Sequence, residues 1–156
     1  MPGAGEPMTA DRLLLLHLVA TAFLCGLIWT VQLVHYPLFD RVDRAQFTAF
    51  EAAHQQRISW IVAPAMLFEA LTAGAWLVAA WRSGDLLGWA IANVVLVVAI
   101  WAATAFLAVP MHTRLSTGFD AEALRRLVDT NWLRTAIWSL RTVGLAVLAW
   151  RALRGG

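Results

Sequence analysis

"LLLLHLVATAFLCGLIWTVQLVHY", residues 13–36, decides the class of this chain. The run contains no Asp, Glu, Lys or Arg. About 20 apolar residues suffice to cross roughly 30 Å of hydrocarbon, so this stretch is long enough to span a membrane. Three later stretches read the same way, at about 58–81, 86–109 and 132–150. Backbone groups in hydrocarbon must bond within their own helix, and helices joined by short connections pack against their neighbours. The expected fold is therefore all-α, an integral membrane antiparallel four-helix bundle. It forms a single domain over residues 13–156, after a flexible tail over 1–12.

Composition agrees. Of 156 residues, 60% are hydrophobic and 14% charged, well below the roughly 25% charged of soluble domains. The net charge is only +2, and all twelve basic residues are arginine. No basic block is present, so nucleic acid is not an expected partner. The lone Cys25 excludes an intramolecular disulfide and a CxxC motif. Glu6 and Asp11 stand where a signal peptide would be basic, and the apolar run is too long for one. A retained helix is expected instead.

Punctuation between the spans is legible. Pro37 and Asp40 are expected to end the first and Pro110 the third, while Pro64 should kink the second. "RSGD", residues 82–85, reads as a turn with Asp85 capping the next helix. "STGFDAEALRRLVDTN", residues 116–131, reads as a loop and a short surface helix capped by Asp120. Trp60, Trp81, Trp89, Trp132 and Trp150 sit near span ends, as interfacial anchors do.

Alternating spans bring the end of the first, the start of the second, the end of the third and the start of the fourth to one side. The polar residues gather there: Gln32, His35 and Tyr36, then Glu51, His54 and Arg57, then His112, then Asn131 and Arg134. Gln32 and His35, like Glu51 and His54, are three apart and so expected on one helix face. Arg141 and Glu69 lie deep in their spans. A charge there is costly unless paired, so they are expected to form a buried ion pair. His17 is expected to be a satisfied packing or interfacial histidine.

These residue types suit two chemistries. Imidazole and carboxylate ligate transition metals. His35, His54, His112 and Glu51 are thus a candidate ligand set for iron or copper, and an axial histidine would suit haem. Alternatively, His35 and His54 act as base with Glu51 as their orienting carboxylate, while Asn131, Arg134, Tyr36, Arg57 and Gln32 bind a flat aromatic or quinone-like substrate. A structural membrane subunit, with the cluster only holding helices together, is the third reading. The expected partners are the lipid bilayer and a hydrophobic small molecule, with homo-oligomerisation left open.

"HYPLF" with the Glu51, His54, Arg57, Pro64 and Glu69 spacing that follows it, together with "VPMHTRL" and "NWLRTAIWSLR", resembles a family of small four-helix bacterial membrane proteins of unknown function. The chain is more distantly similar to the anthrone-oxygenase-like group over about residues 13–145. The group's Pro-x-[Asn/His]-x-x-Leu and Asn-x-x-Arg elements fall on Pro110, His112, Leu115, Asn131 and Arg134. The resemblance implies an oxidoreductase that turns an aromatic anthrone into a quinone without a tightly bound cofactor. It also implies a multi-pass protein of the bacterial inner membrane. The arginine bias favours loops 36–57 and 110–131 as cytoplasmic.

Overall fold

The computed structural model describes residues 9–155, and every regular element among them is helical. The described residues form four long helices: α1 (Ala10–Arg41), α2 (Phe47–Ser83), α3 (Leu87–Leu115) and α4 (Ala121–Arg154). Each is long and apolar enough to cross a membrane, with mean hydropathy of 2.1, 1.7, 2.4 and 1.3. At about 1.5 Å per residue, α2 alone is roughly 55 Å long. All four helices therefore run well past their apolar stretches and carry polar residues with them.

The ends follow local chemistry. Thr9 caps α1 by accepting the Arg12 N–H at 3.4 Å, and Asp11 sits in the first turn, where the helix dipole favours an anion. Residues 10–12 are thus helical, and the rest of the expected tail, residues 1–8, lies outside the described residues. Between α2 and α3, Gly84 adopts φ +80° and its N–H bonds the Ala80 carbonyl at 2.9 Å, a glycine-dependent helix stop. Asp85 does not cap α3. Its N–H bonds Ser83 Oγ, and the cap position falls to Leu86 at φ 55° with no side-chain bond.

Two prolines behave differently from the sequence expectation. Pro37 and Pro110 do not stop their helices. α1 continues to Arg41 and α3 to Leu115. In both, a wider π-turn precedes the proline, at Val31–His35 and Thr104–Ala108. The N–H just before each proline reaches back five residues, Tyr36 to Val31 and Val109 to Thr104. A proline ring crowds the carbonyl four residues earlier. The widened turn accommodates that crowding, and the helix goes on. Pro64 lies inside α2, which is continuous through it.

The expected surface helix near residue 120 is the first part of α4 itself. Asp120 supplies the cap, accepting the Ala123 N–H at 2.9 Å. No proline or glycine follows until Gly144, so a helix once nucleated propagates.

α1 packs against α2 and α4, and α3 against α2 and α4. Two apolar clusters result. One is built around Leu24, Ile28, Tyr36, Phe39, Phe47, Ile100, Leu127 and Trp138. The other includes Leu14, Trp76, Ala80, Ala90, Leu145 and Leu148.

The Asp120 cap gives a pH prediction. The Ala123 N–H, and then the Arg114 guanidinium at 2.5 Å, hold the Asp120 carboxyl below its ordinary value. A depressed pKa means stabilisation that is present above the unfolded-state value and lost as pH falls through the folded one. The stability gap between wild type and Asp120→Ala in detergent should therefore be widest near neutrality. It should close on acidification below about pH 4, as read by thermal melts followed by circular dichroism. A gap that persists at low pH would contradict the assignment.

Candidate functional site

The site is assembled from the ends of all four helices. The π-turn of α1 turns Tyr36 into the interior, where it is buried, and leaves His35 half-buried. The wider turn also separates Gln32 from His35. The two are three residues apart but do not act together as α-helical spacing predicts. Gln32 Oε1 accepts from Asn131 Nδ2 on α4 at 2.6 Å, whereas His35 Nε2 lies 2.7 Å from His54 Nδ1 on α2.

The pairing of Glu51 also differs from the sequence expectation. Glu51 is fully buried and bonds His112 of α3, Nδ1 to Oε1, at 2.7 Å. His54, three residues along the same helix, bonds His35 instead. The same Glu51 oxygen accepts from Gln55 Nε2 at 3.0 Å, and Oε2 has no partner. The other ring nitrogen of His112, Nε2, lies 3.2 Å from the Tyr36 hydroxyl. Arg134 donates to that hydroxyl at 3.5 Å, to Thr104 Oγ1 at 3.4 Å, and to Asn131 Oδ1. Because Arg134 only donates, the Tyr36 oxygen must accept from it. The Tyr36 proton is then free to point at His112, or into open space when His112 Nε2 carries its own proton.

Open space is present. A cavity of about 310 Å³ lies against this cluster, within the range of small-ligand sites. Tyr36, His54, Gln55, Thr104, His112 and Arg134 supply its polar end. Ile28, Val31, Ile58, Val62, Trp101 and Trp138 line the rest.

Of the residues singled out from sequence, Tyr36, His54, His112 and Arg134 reach the cavity. Glu51 stands behind His112, His35 behind His54, and Asn131 with Gln32 behind Arg134. Arg57 lines a separate hollow with His35 and His54. Sequence reasoning missed Gln55, Ser59, Thr104 and Trp138 as lining residues. Thr104 carried a signal, as a polar residue within the apolar third span.

The candidate ligands His35, His54, His112 and Glu51 are arranged as two hydrogen-bonded pairs. Among the described residues, no group of three or more His, Cys, Asp or Glu is disposed to hold a metal ion. The cluster therefore does not form the four-donor set expected from sequence.

A second polar layer lies further along the helices. Arg141 donates to Glu69 Oε1 at 2.7 Å, to Asn93 Oδ1 at 2.9 Å and to His17 Nε2 at 3.1 Å. Asn93 Nδ2 also bonds His17 Nε2, at 2.7 Å. With two donors at Nε2, the His17 proton belongs on Nδ1, which bonds Thr72 Oγ1 at 2.9 Å. His17 is thus a fully buried, satisfied histidine. Trp138 Nε1 donates to the same Glu69 oxygen at 3.0 Å. The cavity wall is in this way tied to the buried ion pair.

Comparison with protein-family models, with curated proteins and with solved structures finds no match for this chain. Its chemistry rests on the geometry of these groups.

The ion pair predicts a reciprocal stability effect. Arg141→Leu leaves a buried carboxylate uncompensated and should cost about 3–5 kcal/mol. Adding Glu69→Leu removes that charge and should recover most of the loss. Thermal unfolding in detergent distinguishes the outcomes. A double variant as unstable as Arg141→Leu alone would refute the pairing.

Proposed function

We propose that the chain is an integral membrane protein of the bacterial inner membrane, an antiparallel four-helix bundle. In this reading the cavity takes up a flat, lipid-soluble phenol or enol and removes its proton. The observation that carries the reading is the make-up of the cavity: apolar and aromatic walls end in a guanidinium, a tyrosine hydroxyl and imidazoles. Several features support the membrane part. Each helix has a span-length apolar stretch. Trp60, Trp81, Trp89, Trp132 and Trp150 are all exposed, as anchors at a lipid interface would be. The arginine distribution favours the His35 end as cytoplasmic.

Roles follow from the contacts. Arg134, steadied by Asn131, and Tyr36 hold the substrate oxygen as charge develops on it. The Glu51–His112 pair sets where the Tyr36 proton points. His54 is the base: its Nδ1 is engaged by His35, while Nε2 has no hydrogen-bond partner among the described residues. The substrate gives its proton to His54 Nε2 and becomes an anion held by Arg134. Such an anion is electron-rich. For an anthrone-like substrate, reaction with dissolved O2 converts the ring CH2 to C=O and releases water. Ser59, Ala63, Trp101 and Val109 are cavity-lining yet exposed. They support entry sideways between α2 and α3, from the lipid.

A 4-nitrophenol carrying an alkyl tail tests the binding step, because its phenolate is coloured. Detergent-purified protein should bind the probe as phenolate. Arg134→Leu should weaken binding roughly tenfold to a hundredfold, the loss of a hydrogen bond to a charged group. Arg82→Gln, outside the cavity, should bind normally. O2 uptake with an anthrone then tests the oxidation. Equal binding by wild type and Arg134→Leu would overturn the proposal. A stoichiometric metal that disappears in His54→Ala would replace it with the ligand reading.

A further inference from the structure

We propose that His54 and His35 form a two-imidazole proton outlet from the cavity to the outside of the helix bundle. The inference rests on the role given to His54 above and extends it to residues that do not touch the substrate.

The observation is a shared wall. Beside the main cavity lies a second hollow of about 240 Å³, lined by His35, His54, Arg57, Phe50, Ala53 and Ile58. His54 lines both spaces. Its Nδ1 lies 2.7 Å from His35 Nε2, close enough that the two nitrogens share one proton. His35 is half-buried, and its Nδ1 has no hydrogen-bond partner among the described residues. Apart from the two imidazoles and Arg57, the second hollow is apolar, so the ring pair is the polar connection between the two spaces.

Aromatic neighbours hold both rings in place. Phe39 packs edge-to-face with His35, at 5.3 Å between centroids, and with His54, at 5.0 Å. His112 stacks on His54 at 5.5 Å. The charged and titratable groups around the pair are Tyr36 on α1, Glu51 and Arg57 on α2, and His112 on α3.

The transfer balances. His54 starts with its proton on Nδ1, donated to His35 Nε2, and His35 carries its own proton on Nδ1. The substrate O–H bond breaks as a proton joins His54 Nε2. The His54 Nδ1 proton moves to His35 Nε2, and the His35 Nδ1 proton leaves to solvent. The products are a substrate anion in the cavity, one released proton and two neutral imidazoles with exchanged tautomers. The pair resets when a proton enters at His35 Nδ1, the His35 Nε2 proton returns to His54 Nδ1, and the His54 Nε2 proton passes to the hydroxide left by the reaction of the anion with O2, forming the released water.

The test uses the full chain in detergent with the alkyl 4-nitrophenol probe, mixed rapidly beside a pH-indicator dye. In wild type, phenolate formation and proton release should rise together. His35→Gln keeps a hydrogen-bonding partner for His54 but cannot relay a proton. It should slow both signals by roughly 100-fold while equilibrium affinity stays close to wild type. His35→Phe should behave likewise. Added imidazole, small enough for the second hollow, should restore the rate in both. Wild-type rates in His35→Gln, or slow rates that imidazole does not rescue, would overturn the outlet while leaving phenolate binding intact. No phenolate in wild type would overturn the binding reading itself, and the outlet with it.

Discussion

The Arg141–Glu69 ion pair is the interaction on which the rest of this structure depends. Arg141 comes from α4, and its partners come from each of the other three helices: His17 and Thr21 on α1, Glu69 on α2, Asn93 on α3. A buried guanidinium is tolerated only when its donors are met. One side chain thereby sets the register of all four helices at a single level. Rotating any helix by one residue, about 100°, would withdraw a partner. On α1, α2 and α4 this level falls between residues of the two apolar clusters, for instance between Leu14 and Leu24 on α1. Apolar packing supplies cohesion, and the polar layer selects one arrangement among many that apolar surfaces would accept.

The same pair reaches the cavity. Trp138 gives its indole N–H to Glu69, and its ring forms part of the cavity wall. A large aromatic side chain that would otherwise rotate is held by a buried carboxylate. At the other end, two π-turns shape the pocket. Val31 and Tyr36 on α1, and Thr104, Ala108 and Val109 on α3, all line it and all lie in or just after a π-turn. Each turn is the helix's answer to a proline that follows. The prolines shape the site through the turns they force before them, while the helices continue past them.

The two buried carboxylates share a pattern. Glu51 Oε1 takes bonds from His112 and Gln55, and Glu69 Oε1 takes bonds from Arg141 and Trp138. In both, Oε2 takes none. Their roles still differ. Glu69 faces a permanent cation and locks the fold. Glu51 faces an imidazole that touches the cavity. Chemistry is therefore proposed at the Glu51 end alone.

The four span-length segments and their helical class were legible from the sequence, because long apolar runs with few charges leave the helix as the way for each segment's backbone to satisfy itself. So was the gathering of His35, Glu51, His54, His112, Asn131 and Arg134, since alternating helices bring those ends together. Partner choice was not legible. Glu51-x-x-His54 spacing describes neighbours on one helix, but cross-helix packing gave Glu51 to His112 and His54 to His35. Gln32 and His35 parted company because a π-turn breaks the α-helical spacing that the reading assumed. Asn93 went unnoticed, for its role exists only where Arg141 and His17 converge on it. The sequence by itself determined which segments are helical and which polar groups must find partners. Only the tertiary structure decided which partner each one found, because helix rotation and local turn width are set by packing between helices that sequence spacing does not encode.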